Sequence, residues 1–132
     1  MANRIEVTQL LSGPKYLAYH AYFQSDGFSG DIDSYVLIDP ANEDMSGNSR
    51  FTIDDITWGF VGFQARIHFE LLIEDTLIWV LAEGVNYVDF KKYTGFADRS
   101  SPNDATGRIL ISTFGFDTVG DEGALLMKVR TS

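Results

Sequence analysis

Four aspartates lie between positions 26 and 39 and are candidate calcium ligands, because calcium prefers carboxylate oxygens. They are close together and are interspersed with glycines that allow tight turns: Asp26, Asp31, Asp33 and Asp39. Their spacing departs from that of an EF-hand loop. Aspartate also favours turns by accepting hydrogen bonds from nearby backbone N–H groups. The pattern therefore favours a solvated turn, with calcium binding as the weaker alternative.

The histidines and the missing cysteines limit other metal chemistry. His20 and His68 are the only two histidines, and each lies within an alternating, strand-like segment. A metal site would need further ligands from other strands, so ordinary strand histidines are the favoured interpretation. Because the chain has no cysteine, it can form no disulfide, zinc–thiolate site or iron–sulfur cluster. We expect neither a metal ion nor a cofactor.

Catalytic patterns are weak. A carboxylate pair for glycoside hydrolysis could be drawn from Glu70, Glu74, Asp75 and Glu83, but Glu70 shares a face with ordinary polar residues. Glu74-Asp75 has the form of a hairpin turn. No G-x-S-x-G motif occurs, and Gly59-Phe60-Val61-Gly62 does not match a phosphate-binding loop. We therefore expect a protein that is not an enzyme.

Aromatic residues are plentiful, with 10 Phe, 6 Tyr and 2 Trp. An exposed aromatic row would suit carbohydrate stacking, but these residues recur at strand spacing. Aromatic side chains also dominate protein cores and subunit interfaces. The pattern favours a core or an interface over a sugar-binding platform.

The charge balance bears on partners. Ten Lys and Arg against nineteen Asp and Glu give a net charge of −9. Such a chain repels nucleic-acid phosphates and anionic lipid surfaces, so neither partner is expected. The acidity favours solubility first and attraction to a basic partner second. No apolar run is long enough for a transmembrane helix, and no secretory signal is predicted.

Hydrophobic residues alternate with period two, which is typical of antiparallel strands with one wet face. The clearest segment places Phe63, Ala65, Ile67, Phe69 and Leu71 on one side. Thr76 to Ala82 is almost continuously apolar and is predicted to be buried on both faces. The Asp54-Asp55 pair interrupts another strand and is interpreted as a bulge. Ile5 to Leu11 is either a leading strand or an extended arm.

These segments predict an all-β fold, an antiparallel β-sandwich of jelly-roll type with about eight strands. Residues 1–132 form a single domain, within which residues 1–8 are the candidate N-terminal arm. The long polar stretch Thr94 to Gly107 is predicted to be a loop of functional or interfacial kind.

The order of several short motifs resembles that of small virion structural proteins of tailed bacteriophages, of the capsid cement or decoration kind. The motifs are Ser12-Gly13-Pro14 before the strand Tyr16 to Phe23, Val36-Leu37-Ile38-Asp39-Pro40, Leu77-Ile78-Trp79-Val80-Leu81, Asp89-Phe90 before Thr94-Gly95-Phe96, Thr106-Gly107-Arg108-Ile109-Leu110-Ile111-Ser112-Thr113, and Leu125-Leu126-Met127-Lys128-Val129-Arg130.

The resemblance implies a β-sandwich or jelly-roll protein without catalytic residues. It implies binding to the outside of an assembled capsid, where the protein bridges major capsid subunits. It also implies a homodimer or homotrimer that assembles in the bacterial cytoplasm and ends on the capsid exterior.

The contact residues are predicted in the N-terminal arm Ala2 to Val7, where the apolar Ile5 and Val7 lie outside the clear alternating core, and in the long loop Thr94 to Gly107. They are Asn3, Arg4, Ile5 and Val7 in the arm and Phe96 and Arg99 in the long loop. An arm can add a strand to the sheet edge of a neighbour. Two alternatives remain: a head–tail or tail-associated virion protein, and a non-catalytic carbohydrate-binding module.

Overall fold

The structure, a computed structural model, describes residues 3–12, 16–39, 51–72, 75–91, 95–97 and 105–131. These residues form ten β-strands and no α-helix. In chain order the strands are β1 Arg4–Ser12, β2 Tyr16–Gln24, β3 Tyr35–Ile38, β4 Phe51–Val61, β5 Gln64–Leu71, β6 Thr76–Leu81, β7 Gly84–Asp89, β8 Phe96–Ala97, β9 Ala105–Phe114 and β10 Glu122–Thr131.

The strands form two sheets in which every pairing is antiparallel. The larger sheet has the order β1-β2-β10-β4-β7, and the short β8 also pairs with β4. The smaller sheet has the order β3-β9-β5-β6. Consecutive strands therefore often lie in different sheets, and the chain crosses between the sheets repeatedly.

The alternation in β5 explains how the smaller sheet faces the core. Phe63, Ala65, Ile67 and Phe69 are at most 3 % exposed, whereas Gln64 and Arg66 face solvent. A slip of one residue would exchange the two faces, so this pattern sets the register. The predicted alternation is confirmed from Phe63 to Phe69, whereas Leu71 at the end of β5 is only partly buried.

Residues of both sheets share one buried cluster that contains two chains of aromatic contacts. At one end, Phe23, Phe60, Phe63 and Phe116 follow one another with ring centroids 4.6–6.5 Å apart. At the other end, Phe90 contacts both Trp79 and Phe96, and Phe96 also contacts Phe69. Most of the abundant Phe therefore fills the core, as the spacing predicted.

The turn from β4 to β5 depends on Gly62. Its φ is 86°, a conformation that side chains of L-residues rarely adopt. A β-carbon here would also meet the carboxylate of Asp121. That carboxylate accepts hydrogen bonds from the backbone N–H groups of Asp117 and Thr118. A tight turn and a neighbouring loop are thus fitted to each other at this glycine.

The strand count and two segments differ from the sequence-based expectation. The described residues form ten strands rather than about eight, and one of the additional strands, β8, lies within the predicted loop Thr94 to Gly107. β6 is not buried on both faces but lies at the edge of the smaller sheet. A continuous apolar run does not distinguish a central strand from an edge strand, because both accept apolar residues.

Residues 4–12 lie within the larger sheet. β1 pairs with β2 from Arg4 opposite Gln24 to Ser12 opposite Leu17, and Ile5 and Val7 pack against the core. The sequence had left a leading strand and an extended arm as alternatives, and the leading strand is the one observed.

Candidate docking surface

Two adjacent aspartates, Asp54 and Asp55, lie within β4, whose other residues carry no charge. The pairing with β10 shifts at this point, so that Asp54 has no cross-strand partner on β10, as in a bulge. Both residues are buried, at 7 % and 2 % exposed. The bulge predicted from the sequence is confirmed.

Each buried carboxylate has its own cation. The Arg130 Nε donates a hydrogen bond to Asp54 Oδ1 at 2.7 Å, and Lys91 Nζ lies 3.3 Å from Asp55 Oδ2. The hydrogen bond to Asp55 raises the pKa of Lys91, and the negative charge of Asp55 adds to this effect. Buried charges are tolerated when they are paired. We call these four residues the ion-pair cluster.

A cleft opens beside the ion-pair cluster. It consists of two adjoining depressions of about 320 Å³ each, which share Tyr16, Asp54 and Lys91. Arg130 lines the first depression, and Leu11 and Lys128 line the second. The cleft therefore combines fixed charges with apolar surface, which is the composition of a surface that binds by complementarity.

The register of the larger sheet places two rows of outward side chains beyond this cleft. One row is Glu6, Tyr22, Ala124, Gly59 and Val85, and the next is Thr8, His20, Leu126, Thr57 and Tyr87. Lys128 is two residues beyond Leu126 on β10 and so belongs to the same face. We call this face, including the cleft, the docking surface.

The centre of the docking surface is apolar and slightly concave. A depression of about 230 Å³ is lined by residues of four strands, among them His20, Gly59, Ala124 and Leu126. At its side, Val85 is 86 % exposed and Tyr87 is 56 % exposed. Small residues in the middle and large ones at the side form a shallow groove that is bordered by charges at one end.

The predicted contact residues at the start of the chain have partners within the chain. Asn3 Nδ2 donates to the carbonyl of Gly30 at 2.9 Å, and Asn3 Oδ1 accepts from the N–H of Asp26 at 3.0 Å. Arg4 forms an exposed ion pair with Glu6 at 2.8 Å. Asn3 thus holds the turn that contains Asp26 and Gly30, which we call the acidic turn, against the sheet. Arg4 lies on the docking surface near Tyr22.

The other predicted contact residues lie in different places. Ile5 and Val7 are partly buried against the core, and Phe96 packs on Phe69 and Phe90. Phe96 pairs with Ile53 at one end of β4. Arg4 lies in the cross-strand row that ends on Val61, at the other end of β4. The structure does not bring the two groups together. Arg99 is outside the described residues.

The acidic turn uses its carboxylates to organise its own backbone. Asp26 accepts hydrogen bonds from the N–H groups of Phe28 and Ser29 and from the Ser29 hydroxyl. These bonds, the one from the hydroxyl first, lower the pKa of Asp26 to about 2. Asp31, by contrast, binds a neighbouring loop, since it accepts from the N–H of Phe116 between β9 and β10 at 2.8 Å. No group of three potential metal ligands occurs among the described residues.

The histidines and the remaining carboxylates are spread over the molecule. His20 lies on the docking surface, and burial lowers the pKa of His68 on the smaller sheet. Glu70 Oε1 lies 3.3 Å from Arg108 Nη1, with which it forms an ion pair. Asp75 and Glu83 flank opposite ends of β6, and Glu74 is outside the described residues. Asp75 accepts a hydrogen bond from the N–H of Leu71, next to Glu70, whereas Glu83 is separated from Asp75 by the length of β6.

Comparison of this chain with models of protein families, with curated proteins and with solved structures finds no match. Within the described ranges, the structure contains no helix with the length and apolar character needed to cross a membrane.

Sequence reasoning recognised the Asp54-Asp55 bulge but not the ion-pair cluster around it. Arg130 is 76 residues from Asp54 in the sequence, so no local pattern connects them. The available signal was two adjacent acids inside an apolar strand, since such a pair requires cations from elsewhere.

Proposed function

We propose that this protein is a non-catalytic virion structural protein, a cement protein that binds the outside of an assembled bacteriophage capsid through its docking surface. The exposed apolar side of that surface, Val85 and Tyr87 beside the shallow groove, is the observation that carries the docking role. The choice of a capsid as partner rests on the resemblance described for the sequence.

We also propose that the two sheets form a jelly-roll sandwich. The pairings β2·β10, β3·β9, β4·β7 and β5·β6 are nested, first strand with last, as in a long ribbon rolled into two sheets. β1 extends one edge, and β8 is a short addition beside β4. This nesting supports the eight-stranded jelly roll expected from the sequence, with β1 and β8 as the two further strands. Jelly rolls also occur in carbohydrate-binding proteins, so the fold alone does not choose the partner.

The docking surface has the composition of a protein interface. Its centre is apolar, and charged groups such as Lys128 and the ion-pair cluster border it. Apolar groups at the centre supply affinity, and charges at the rim fix orientation. A capsid site with a matching apolar ridge would bury Val85 and Tyr87.

Cement activity follows from mass action. A protein that binds the assembled shell, and not the free subunits, stabilises the shell at every occupied site. In this proposal the chain bridges neighbouring major capsid subunits, acts as a homodimer or homotrimer, and is located on the capsid exterior.

The test is co-sedimentation of the purified protein with capsids of its phage that lack it. We expect saturation at a copy number comparable to that of the capsid subunits. A dozen copies or fewer would instead place the protein at a vertex, portal or tail. No binding would contradict the proposal, and a glycan array would then test the carbohydrate-binding alternative.

Two exposed valines provide matched variants for this assay. Val85→Asp introduces a charge on the docking surface, and Val119→Asp introduces the same charge on a turn at a residue that is 74 % exposed. We expect the first substitution to weaken capsid binding about tenfold or more, because a charge is buried without a partner. The second should bind as the unchanged protein does. Equal binding by both variants would contradict the role of this face.

A further inference from the structure

A second surface of the molecule, the free edge of the smaller sheet, also has the properties of a binding site. β6 is the last strand in the order β3-β9-β5-β6 and pairs with β5 alone in the described part of the chain. Leu77, Trp79 and Val80 are 46 %, 41 % and 41 % exposed. As far as the structure describes the chain, one side of the β6 backbone is therefore available to a further strand.

β6 lacks most of the features that usually protect a sheet edge. Natural edges carry charged residues, proline or bulges, or are very short. β3 has four residues, β1 carries the Arg4–Glu6 ion pair, and β7 ends in Asp89. β6, by contrast, reads Thr-Leu-Ile-Trp-Val-Leu, without a charge or a proline. Its one protective feature is a bulge at Ile78, which has no partner on β5 because Ile67 pairs with Trp79 and His68 with Leu77. On either side of this bulge the apolar edge can pair with another extended segment.

The charges flanking β6 indicate which segment would fit. Asp75 immediately precedes the strand, and Glu83 follows its end by two residues. Asp75 Oδ1 accepts from the N–H of Leu71 at 3.2 Å, and Glu83 Oε2 accepts from the N–H of Gly62 at 2.8 Å. Both residues are exposed, and neither forms an ion pair with a described residue. Both ends of this apolar edge are therefore negative.

We propose that β6 binds an extended apolar segment of another protein that carries a lysine or arginine at each end. The segment adds to the smaller sheet as a fifth strand. Backbone hydrogen bonds supply affinity, and the cations at its ends meet Asp75 and Glu83.

A second copy of this chain fits the edge poorly. In a two-fold, antiparallel pairing of β6 with β6, Asp75 of each copy would approach the end near Glu83 of the other. Like charges placed opposite each other across strands are destabilising. The site therefore selects a basic-ended segment over self-pairing.

This inference does not depend on the capsid proposal, because the edge is on the smaller sheet and the docking surface is on the larger one. If both hold, the protein has two separate contacts, which is what bridging two subunits requires. Each can fail without the other, since peptide binding tests the edge and co-sedimentation tests the docking surface.

The experiment uses two synthetic peptides of alternating valine and threonine, one with lysine at both ends and one with glutamate at both ends. Tryptophan fluorescence reports binding, because Trp79 lies on β6 and Trp58 is buried. We expect a saturable change with the lysine peptide and binding at least about tenfold weaker with the glutamate peptide. No saturable change, or equal binding of the two peptides, would overturn the proposal.

Variants locate the site. Val80→Lys places a cation on the edge and should weaken binding of the lysine peptide about tenfold, whereas Leu10→Lys, at an exposed position of β1 in the other sheet, should leave it unchanged. Equal effects of these two substitutions would overturn the assignment to β6. The double variant Asp75→Asn and Glu83→Gln keeps both oxygen acceptors and should abolish the preference for lysine ends. A preference that survives this change would overturn the role of the two acids.

Sedimentation velocity tests the competing occupant. If the unchanged protein is an oligomer that Val80→Lys dissociates, then a second copy occupies the edge and the proposal is overturned. An oligomeric state that is the same in both proteins supports it.

Discussion

Arg130 and Lys91 each approach one member of an adjacent pair of carboxylates that the fold removes from water. Each of these ion pairs contributes to stability mainly when it is intact, since loss of one partner leaves the other charge buried without a partner. At the residue scale, the ion-pair cluster is therefore where single substitutions have the clearest consequences.

Replacing Arg130 by Met should lower the free energy of unfolding by about 1–3 kcal/mol, because Asp54 loses its charged hydrogen-bond donor. The side chain of Asp54 is 10 % exposed, so water cannot fully replace the lost partner. Urea denaturation followed by circular dichroism measures the change. Arg4→Met is the control, since the Arg4–Glu6 pair is exposed and screened by water and should contribute little to stability. Similar losses in the two variants would contradict the argument.

The acidic turn predicts a dependence on pH. Hydrogen bonds from Ser29 and Phe28 lower the pKa of Asp26 from the usual 3.8 to about 2. Because the unfolded chain binds this proton more readily, the contribution of Asp26 is complete above about pH 5 and is lost as the pH falls toward 2. Titration of the Asp26 carboxyl by NMR should give this low midpoint. Ser29→Ala should raise the midpoint, and a midpoint unchanged by that substitution would contradict the assigned cause.

At the scale of strands, the sequence was most informative where one face of a strand is exposed to solvent and the other is buried. In β5 the alternation predicted both the strand and its buried side, because the sheet has solvent on one face only. In β6 the prediction from the apolar pattern was wrong. Its apolar residues indicated burial on both faces, but β6 is an edge, and the position of a strand within a sheet depends on pairings far away in the sequence.

The β5 register leads to a stability prediction. Ile67→Ala should cost about 2–5 kcal/mol, since Ile67 is fully buried and its loss leaves a cavity. Gln64→Ala, on the wet face of the same strand, should change stability by no more than about 0.5 kcal/mol. Thermal or urea unfolding of both variants tests the register, and equal melting curves would mean that the assigned face is wrong.

The candidate site was less predictable than the strands. The Asp54-Asp55 bulge could be read locally, because two acids cannot continue an apolar pattern. The outward rows around Gly59 and Ala124 could not, since they require the cross-strand register of four strands. Nor could the basic partners of the two acids be identified, because a folded sheet, and not sequence proximity, brings them together.

At the scale of the whole molecule, a net charge of −9 acts on a chain of 132 residues. Self-repulsion of this kind opposes the compact state and is reduced by salt. We expect the midpoint of thermal unfolding near pH 7 to rise between about 10 and 150 mM sodium chloride. Near pH 4.4, the isoelectric point of the sequence, the increase should vanish. Calorimetry at both pH values tests this, and a fall in the midpoint with salt at pH 7 would contradict it.

β10 lies between β2 and β4 in the middle of the larger sheet, although it follows every other described strand in the chain. During translation, β2 and β4 therefore leave the ribosome without the strand that joins them. At about 5–20 residues per second, the roughly 60 residues between the end of β4 and the start of β10 take about 3 to 12 s to synthesise. For that interval the facing edges of β2 and β4 lack their native partner, so both are open to pairing with other strands.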